Sequence, residues 1–188
     1  MTRIKLILLC MVLLATGAGT AHAQKASIST NAMDWANFGT VNLEAGVSVA
    51  QHFSLMAGLH YNPWEFKTGK DVDLYNKQNT GYFGFRWWPW YVFSGWWFSA
   101  KVQMSKFSRT GIWRPALEQG TSMGGGLGFG YTIMLHENVN LEFGAGIWGG
   151  RHMSYTLYEC PKCMTVRESS PRNFIAPDDL SVTVSFVF

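Results

Sequence analysis

The chain has 188 residues, a formal charge of +3, and 15% aromatic residues, including 9 Trp, alongside 20 Gly. So small a charge excess gives no reason to expect nucleic acid as a partner. Beyond residue 23 no stretch approaches the roughly 20 apolar residues that a membrane helix requires.

Residues 1–23 read as a signal peptide. Arg3 and Lys5 form a basic start, Leu6 to Leu14 an apolar core too short to span a bilayer as a helix, and Ala21-His22-Ala23 a small-residue cleavage site. Cys10 lies inside that core and does not mark lipid attachment. The exported part, 24–188, is about 165 residues long, enough for one domain. In lipid only helices and closed barrels satisfy every backbone group, so an exported chain of this composition is either water-soluble or a β-barrel.

Side chains alternate between the faces of a strand, and that period runs through the chain. The first strand is expected over Lys25 to Trp35, with Ile28, Thr30 and Ala32 opposite Ser27, Ser29 and Asn31. Val41, Leu43, Ala45, Val47 and Val49 form the apolar face of a second. After a tight turn at Gln51-His52, Phe53, Leu55, Ala57, Leu59 and Tyr61 form that of a third. A charged loop is expected from Lys67 to Asn79. The fourth strand, Thr80 to Trp88, sets Phe83, Phe85 and Trp87 against Tyr82, Gly84 and Arg86. Pro89 to Gly95 then turns the chain into a fifth, which runs from Trp96 to Ser105. The cluster Trp87, Trp88, Trp90, Tyr91, Trp96 and Trp97 suits the headgroup level of a membrane, with an aromatic core as the other reading.

Phe107 to Thr121 reads as a second long loop. In the sixth strand, Met123 to Leu135, Gly124, Gly126, Gly128 and Gly130 occupy every second position, which marks close backbone approach or strong curvature. His136-Glu137-Asn138 is a short turn, and the seventh strand sets Val139, Leu141, Phe143, Ala145 and Ile147 against Asn140, Glu142, Gly144, Gly146 and Trp148. A third long loop, Arg151 to Asp179, precedes a closing strand in which Leu180, Val182, Val184, Phe186 and Phe188 share the apolar face. The expected fold is all-β: an eight-stranded antiparallel up-and-down transmembrane β-barrel, with short periplasmic turns and long outer loops.

If the apolar stripes face lipid, Glu44, Arg86, Lys101 and Glu142 face the lumen. Eight strands leave a lumen that side chains fill, so these charges are expected to neutralise one another as a plug; a gated ion pathway is the competing reading. Lys106, Arg109, Arg114 and Arg151 sit near outer strand ends, where they can grip lipid phosphates or form a solvated rim. Cys160 and Cys163 most simply form a local disulfide in an oxidising envelope. A zinc site would need two more ligands, with His152 and Glu159 nearby, and redox chemistry would need a strand-helix context that is missing. The nearest Ser-His pairs, Ser54 with His60 and Ser154 with His152, lack a third orienting group, so no catalytic set and no cofactor are expected.

Tyr61-Asn62-Pro63-Trp64-Glu65-Phe66, Arg86-Trp87-Trp88 and Tyr158-Glu159-Cys160-Pro161-Lys162-Cys163 together resemble a Bacteroidetes family of small outer-membrane barrels filed as a domain of unknown function. The resemblance implies an outer-membrane location and kinship with surface structures, and no established activity. The expected role is structural, binding or assembly through the outer loops. The expected partners are outer-membrane lipids and lipopolysaccharide, the barrel assembly machinery during insertion, and an envelope protein complex. The alternatives are a lipid-modifying enzyme in the same membrane, or a soluble periplasmic ligand-binding barrel with its Phe and Leu stripes turned inward.

Overall fold

The computed structural model describes residues 25–37, 39–68, 72–110, 116–159, 165–178 and 180–188. Its strands are β1 (Ala26–Asn31), β2 (Val41–Ala50), β3 (Phe53–Asn62), β4 (Glu65–Thr68), β5 (Val72–Trp87), β6 (Gly95–Thr110), β7 (Leu117–His136), β8 (Val139–Tyr158), β9 (Val166–Ser169), β10 (Asn173–Pro177) and β11 (Ser181–Val187). The short helix α1 (Ala32–Ala36) follows β1. Antiparallel pairing runs from β1 to β2, β3, β5, β6, β7 and β8 in turn. β8 then pairs with β11, and β11 with β1, so the sheet closes in a ring. Closure leaves no unpaired edge along that path, which is how an antiparallel sheet avoids templating further strands. β4 folds back on β5, while β9 and β10 continue along β8 beyond β11.

The period-2 pattern becomes an inside-out ring. Leu59, Val102, Leu127 and Ile147 are each about 60% exposed on the outer face, whereas Ser54, Thr80, Ser105, Asn140 and Ser185 are buried inside. The start of β1 and the carboxy-terminal residue meet at one end, called here the terminal end, where the amides of Lys25 and Ala26 both donate to the Phe188 carbonyl. The turns at 51–52, 88–94 and 137–138 share this terminal end with them. α1, which follows the far end of β1, lies at the opposite, loop end.

At the terminal end the 88–94 turn folds under the ring. Trp88, Phe93, Trp97 and Val187 form a small buried apolar core there. Trp88 Nε1 donates to Ser54 Oγ (3.0 Å) and Asn140 Nδ2 to the Phe93 carbonyl (2.8 Å). Phe93 takes a positive φ of 65°, uncommon for a bulky residue, and these bonds hold it there. The expected aromatic cluster is therefore divided: Trp87, Trp90, Tyr91 and Trp96 are exposed, while Trp88 and Trp97 are core. Glycines of β7 and β8 serve this core directly, since a Cβ on Gly130 of β7 or Gly144 of β8 would collide with the Trp97 ring.

Several expected boundaries are corrected. The first strand ends at Asn31, whose side chain accepts from the Met33 amide and caps α1. The loops expected at 67–79, 107–121 and 151–179 are largely strand, because β5 begins at Val72, β6 reaches Thr110, β7 begins at Leu117 and β8 reaches Tyr158. The cause is physical. Past the apolar belt polar and apolar residues mix on both faces of these strands, so the period-2 signal fades while the ladder hydrogen bonds continue.

Candidate functional site in the lumen

The interior encloses a cavity of about 70 Å³ lined by residues that include Glu44, His60, Tyr82, Arg86, Trp97, Lys101 and Asp178. β2, β5 and β8 bring Glu44, Arg86 and Glu142 together. Arg86 spans the two carboxylates, Nη2 to Glu44 Oε1 at 2.8 Å and Nη1 to Glu142 Oε2 at 3.0 Å. The Tyr82 hydroxyl donates to the second Glu44 oxygen (2.7 Å), and the Arg86 guanidinium lies 4.5 Å from the centre of the Trp97 ring. Each buried charge is thus opposed at hydrogen-bond distance, which is what makes its removal from water tolerable.

Lys101, which lines the same cavity, faces a further carboxylate. Its Nζ lies 2.6 Å from Asp178 Oδ2 and 4.5 Å from the centre of the Tyr82 ring. Asp178 falls in the segment read from sequence as a loop. The inward acids and bases counted there, Glu44 and Glu142 against Arg86 and Lys101, already balance, so nothing signalled a further carboxylate. At the loop end His60 Nδ1 lies 3.0 Å from Asp34 Oδ2 of α1. Around it, Asn42 Oδ1 accepts from the Asn31 amide and Thr30 Oγ1, and Asn31 Oδ1 accepts from the Val182 amide. The Tyr61-Asn62-Pro63-Trp64 run is a corner clamp. Asn62 Oδ1 accepts from the Trp64 amide, Asn62 Nδ2 donates to Thr40 Oγ1, and Trp64 Nε1 donates to the Gly39 carbonyl.

Neither Ser-His pair drawn from sequence meets. Ser54 accepts from Trp88 Nε1, and Ser154 Oγ accepts from the Thr121 amide. His152 instead shares a 2.6 Å hydrogen bond with Ser122, which is fully buried. The His152 ring stacks on Phe174 and contacts Phe107 and Tyr155 at the loop end. Burial there pushes the imidazole below its usual pKa, aided by the charges of Arg172 and Arg109.

Of the four basic residues expected near phosphates, Lys106 and Arg151 are exposed on the outer face just past the apolar belt. Lys106 borders a groove of about 420 Å³ with Tyr61, Pro63, Lys77 and Asn79. Arg109 turns to Glu118 (Nε to Oε2, 3.4 Å) over the Phe107 ring. Arg114 lies outside the described residues, as do Cys160 and Cys163. Among the described residues no three His, Cys, Asp or Glu side chains are grouped to hold a metal ion.

Fold and interior together define a closed antiparallel up-and-down β-sheet, apolar outside and charged within. Residues 7–188 match the model of the family described as Protein of unknown function (DUF3575), and the chain belongs to that family. No curated protein and no solved structure matches it.

Proposed function

We propose that this protein is an integral outer-membrane β-barrel, exported by residues 1–23, with a wall of eight strands formed by β1, β2, β3, β5, β6, β7, β8 and β11. The observation that carries this reading is the outer belt. It runs from Phe53, Trp87 and Trp96 near the terminal end to Leu59, Met104, Met123 and Ile147, all exposed, and gives way to Lys106 and Arg151. So continuous an apolar surface would be an aggregation liability in water and is the expected lipid contact of a barrel. The aromatic residues Trp87, Trp90, Tyr91, Trp96 and Tyr131 then sit at the periplasmic headgroup level, with both termini in the periplasm.

The apolar plug at that end and the ion pairs above it favour a filled lumen without a steady pore. The role is then structural, binding or assembly, carried by the strand extensions at the outer end and by the wall. Lys106 and Arg151 are placed to meet lipid phosphates, lipopolysaccharide included, and an envelope protein complex is the class of partner expected. A soluble ligand-binding barrel is disfavoured by the outward Phe and Leu stripes.

A charge scan tests the reading. Val184→Arg and Leu127→Arg, at mid-belt, are expected to cost about 2–4 kcal/mol and block membrane assembly, whereas Met153→Arg, outward but beyond the belt, is tolerated. Equal recovery of all three in the membrane fraction would contradict it.

A further inference from the structure

On the outer face of the wall, β5 carries small residues where its neighbours carry large ones. Asn79 is paired with Tyr61 of β3 and Lys106 of β6, and Gly81 with Leu59 and Met104. Residues directly opposite each other project on the same side of a sheet, so each of these two rows reads large, small, large. The result is a groove along β5 between two ridges, of about 420 Å³ where Tyr61, Pro63, Lys77, Asn79 and Lys106 bound it.

The two ends of this groove differ in chemistry. At the outer end Lys77 and Lys106 both line it, and no carboxylate is among the described residues that do. Two residues along β5 from Asn79, roughly 7 Å toward the terminal end, the floor is Gly81 and the walls are the exposed apolar side chains of Leu59 and Met104. Among the described residues a Cβ at Gly81 would meet Leu59 Cδ2 alone, at 3.4 Å, so this slot has room for further atoms. Phe83, exposed on the same face, ends it two residues further on. A free phosphate would use the lysines and leave the slot empty, and an uncharged alkyl chain would do the reverse. A molecule with an anionic head joined to an acyl chain matches both ends at once.

We propose that this groove seats one phosphorylated lipid of the outer leaflet, of the lipid A class, with a phosphate against Lys106 and Lys77 and an acyl chain over Gly81 between Leu59 and Met104. The ammonium-phosphate contact is charge-assisted, and the chain covers apolar surface that the glycine leaves open. Tyr61, on the ridge between the two ends, suits the boundary of oil and water that such a lipid straddles. The seat rests on the reading of the outer face as lipid-facing, and it concentrates the general phosphate contact of the rim at a single place.

The test is native mass spectrometry of the protein extracted in mild detergent and titrated with lipid A, with phosphatidylcholine, which carries no net charge, as the comparison lipid. The parent is expected to retain one lipid A in preference to phosphatidylcholine. Lys106→Glu should weaken that binding about tenfold, and Gly81→Leu, which fills the slot without a change of charge, about fivefold. Arg167→Glu, the same charge change on exposed β9, should leave it at the parent value. Should Gly81→Leu fail to give the compact, heat-modifiable form, Gly81→Val is read in its place with the same expectation. Equal binding in the parent and Lys106→Glu would overturn the proposal, as would an equal loss in Arg167→Glu, since overall charge would then be the attraction. A loss in Lys106→Glu with the Gly81 variant unchanged would leave an anion site without a chain and overturn it too. A parent that enters neither detergent micelles nor bilayers would instead contradict the lipid-facing outer face itself, and the seat with it.

Discussion

Arg86 is the residue whose loss the interior can least absorb. It faces Glu44 and Glu142 at once, both inside the ring and within 3.0 Å. Breaking a buried pair by removing one partner costs about 3–5 kcal/mol, because the charge left behind has no partner. Arg86→Ala should therefore lower the urea midpoint for unfolding by several times as much as Arg109→Ala, whose partner Glu118 lies in a more exposed pair. Equal shifts would mean that the lumen pairs are hydrated like surface ones. Arg86, Glu44 and Glu142 were legible as inward charges because each interrupts an apolar alternation at a polar-face position. The Lys101 partner was not. Asp178 follows Pro177 and precedes Asp179 in a stretch that reads as a turn, and its inward aim comes from a register offset that only pairing with β8 creates.

The elements were legible where one face was apolar and blurred where neither was. β2, β3 and β11 fall within a residue or two of the limits read from alternation, since each lies wholly within the belt. β5 to β8 run well past theirs, because hydrogen bonding to a neighbouring strand needs no apolar side chain. The 88–94 turn was expected as a connection and is also a plug. Its Trp and Phe residues look alike in sequence, and only the fold divides them between Trp88 and Phe93 inside and Trp90 and Tyr91 outside. The glycine stripe read as close approach has a specific beneficiary in Trp97. Gly130→Ala would push a methyl against both that ring and the Phe143 carbonyl, with an overpacking cost of about 1–3 kcal/mol measurable as a lower thermal midpoint. Gly125→Ala, on the same strand with an added Cβ that would lie 3.6 Å from the Lys101 carbonyl oxygen, is the control and should change little.

For the molecule as a whole, the direction of its polarity is the organising fact. A ring with Ser, Thr, Asn and paired charges inside and Leu, Val, Phe and Ile outside inverts the usual arrangement of a water-soluble protein, and the family it belongs to supplies no activity to set beside that inversion. The alternation carried this much of the fold in plain sight, because a period of 2 assigns every residue of a strand to one face or the other. Alternation cannot say which face is in, and that came only with closure of the ring. The central claim, that the outer face meets lipid, is tested most directly by a spin-label scan along β11 in reconstituted bilayers, comparing collisions with oxygen, which concentrates in lipid, and with a water-soluble nickel chelate. The account predicts oxygen-rich, nickel-poor labels at Val182, Val184 and Phe186, alternating with labels shielded from both at Thr183 and Ser185. Labels at Val182, Val184 and Phe186 that collide freely with the nickel chelate would place that face in water and contradict it.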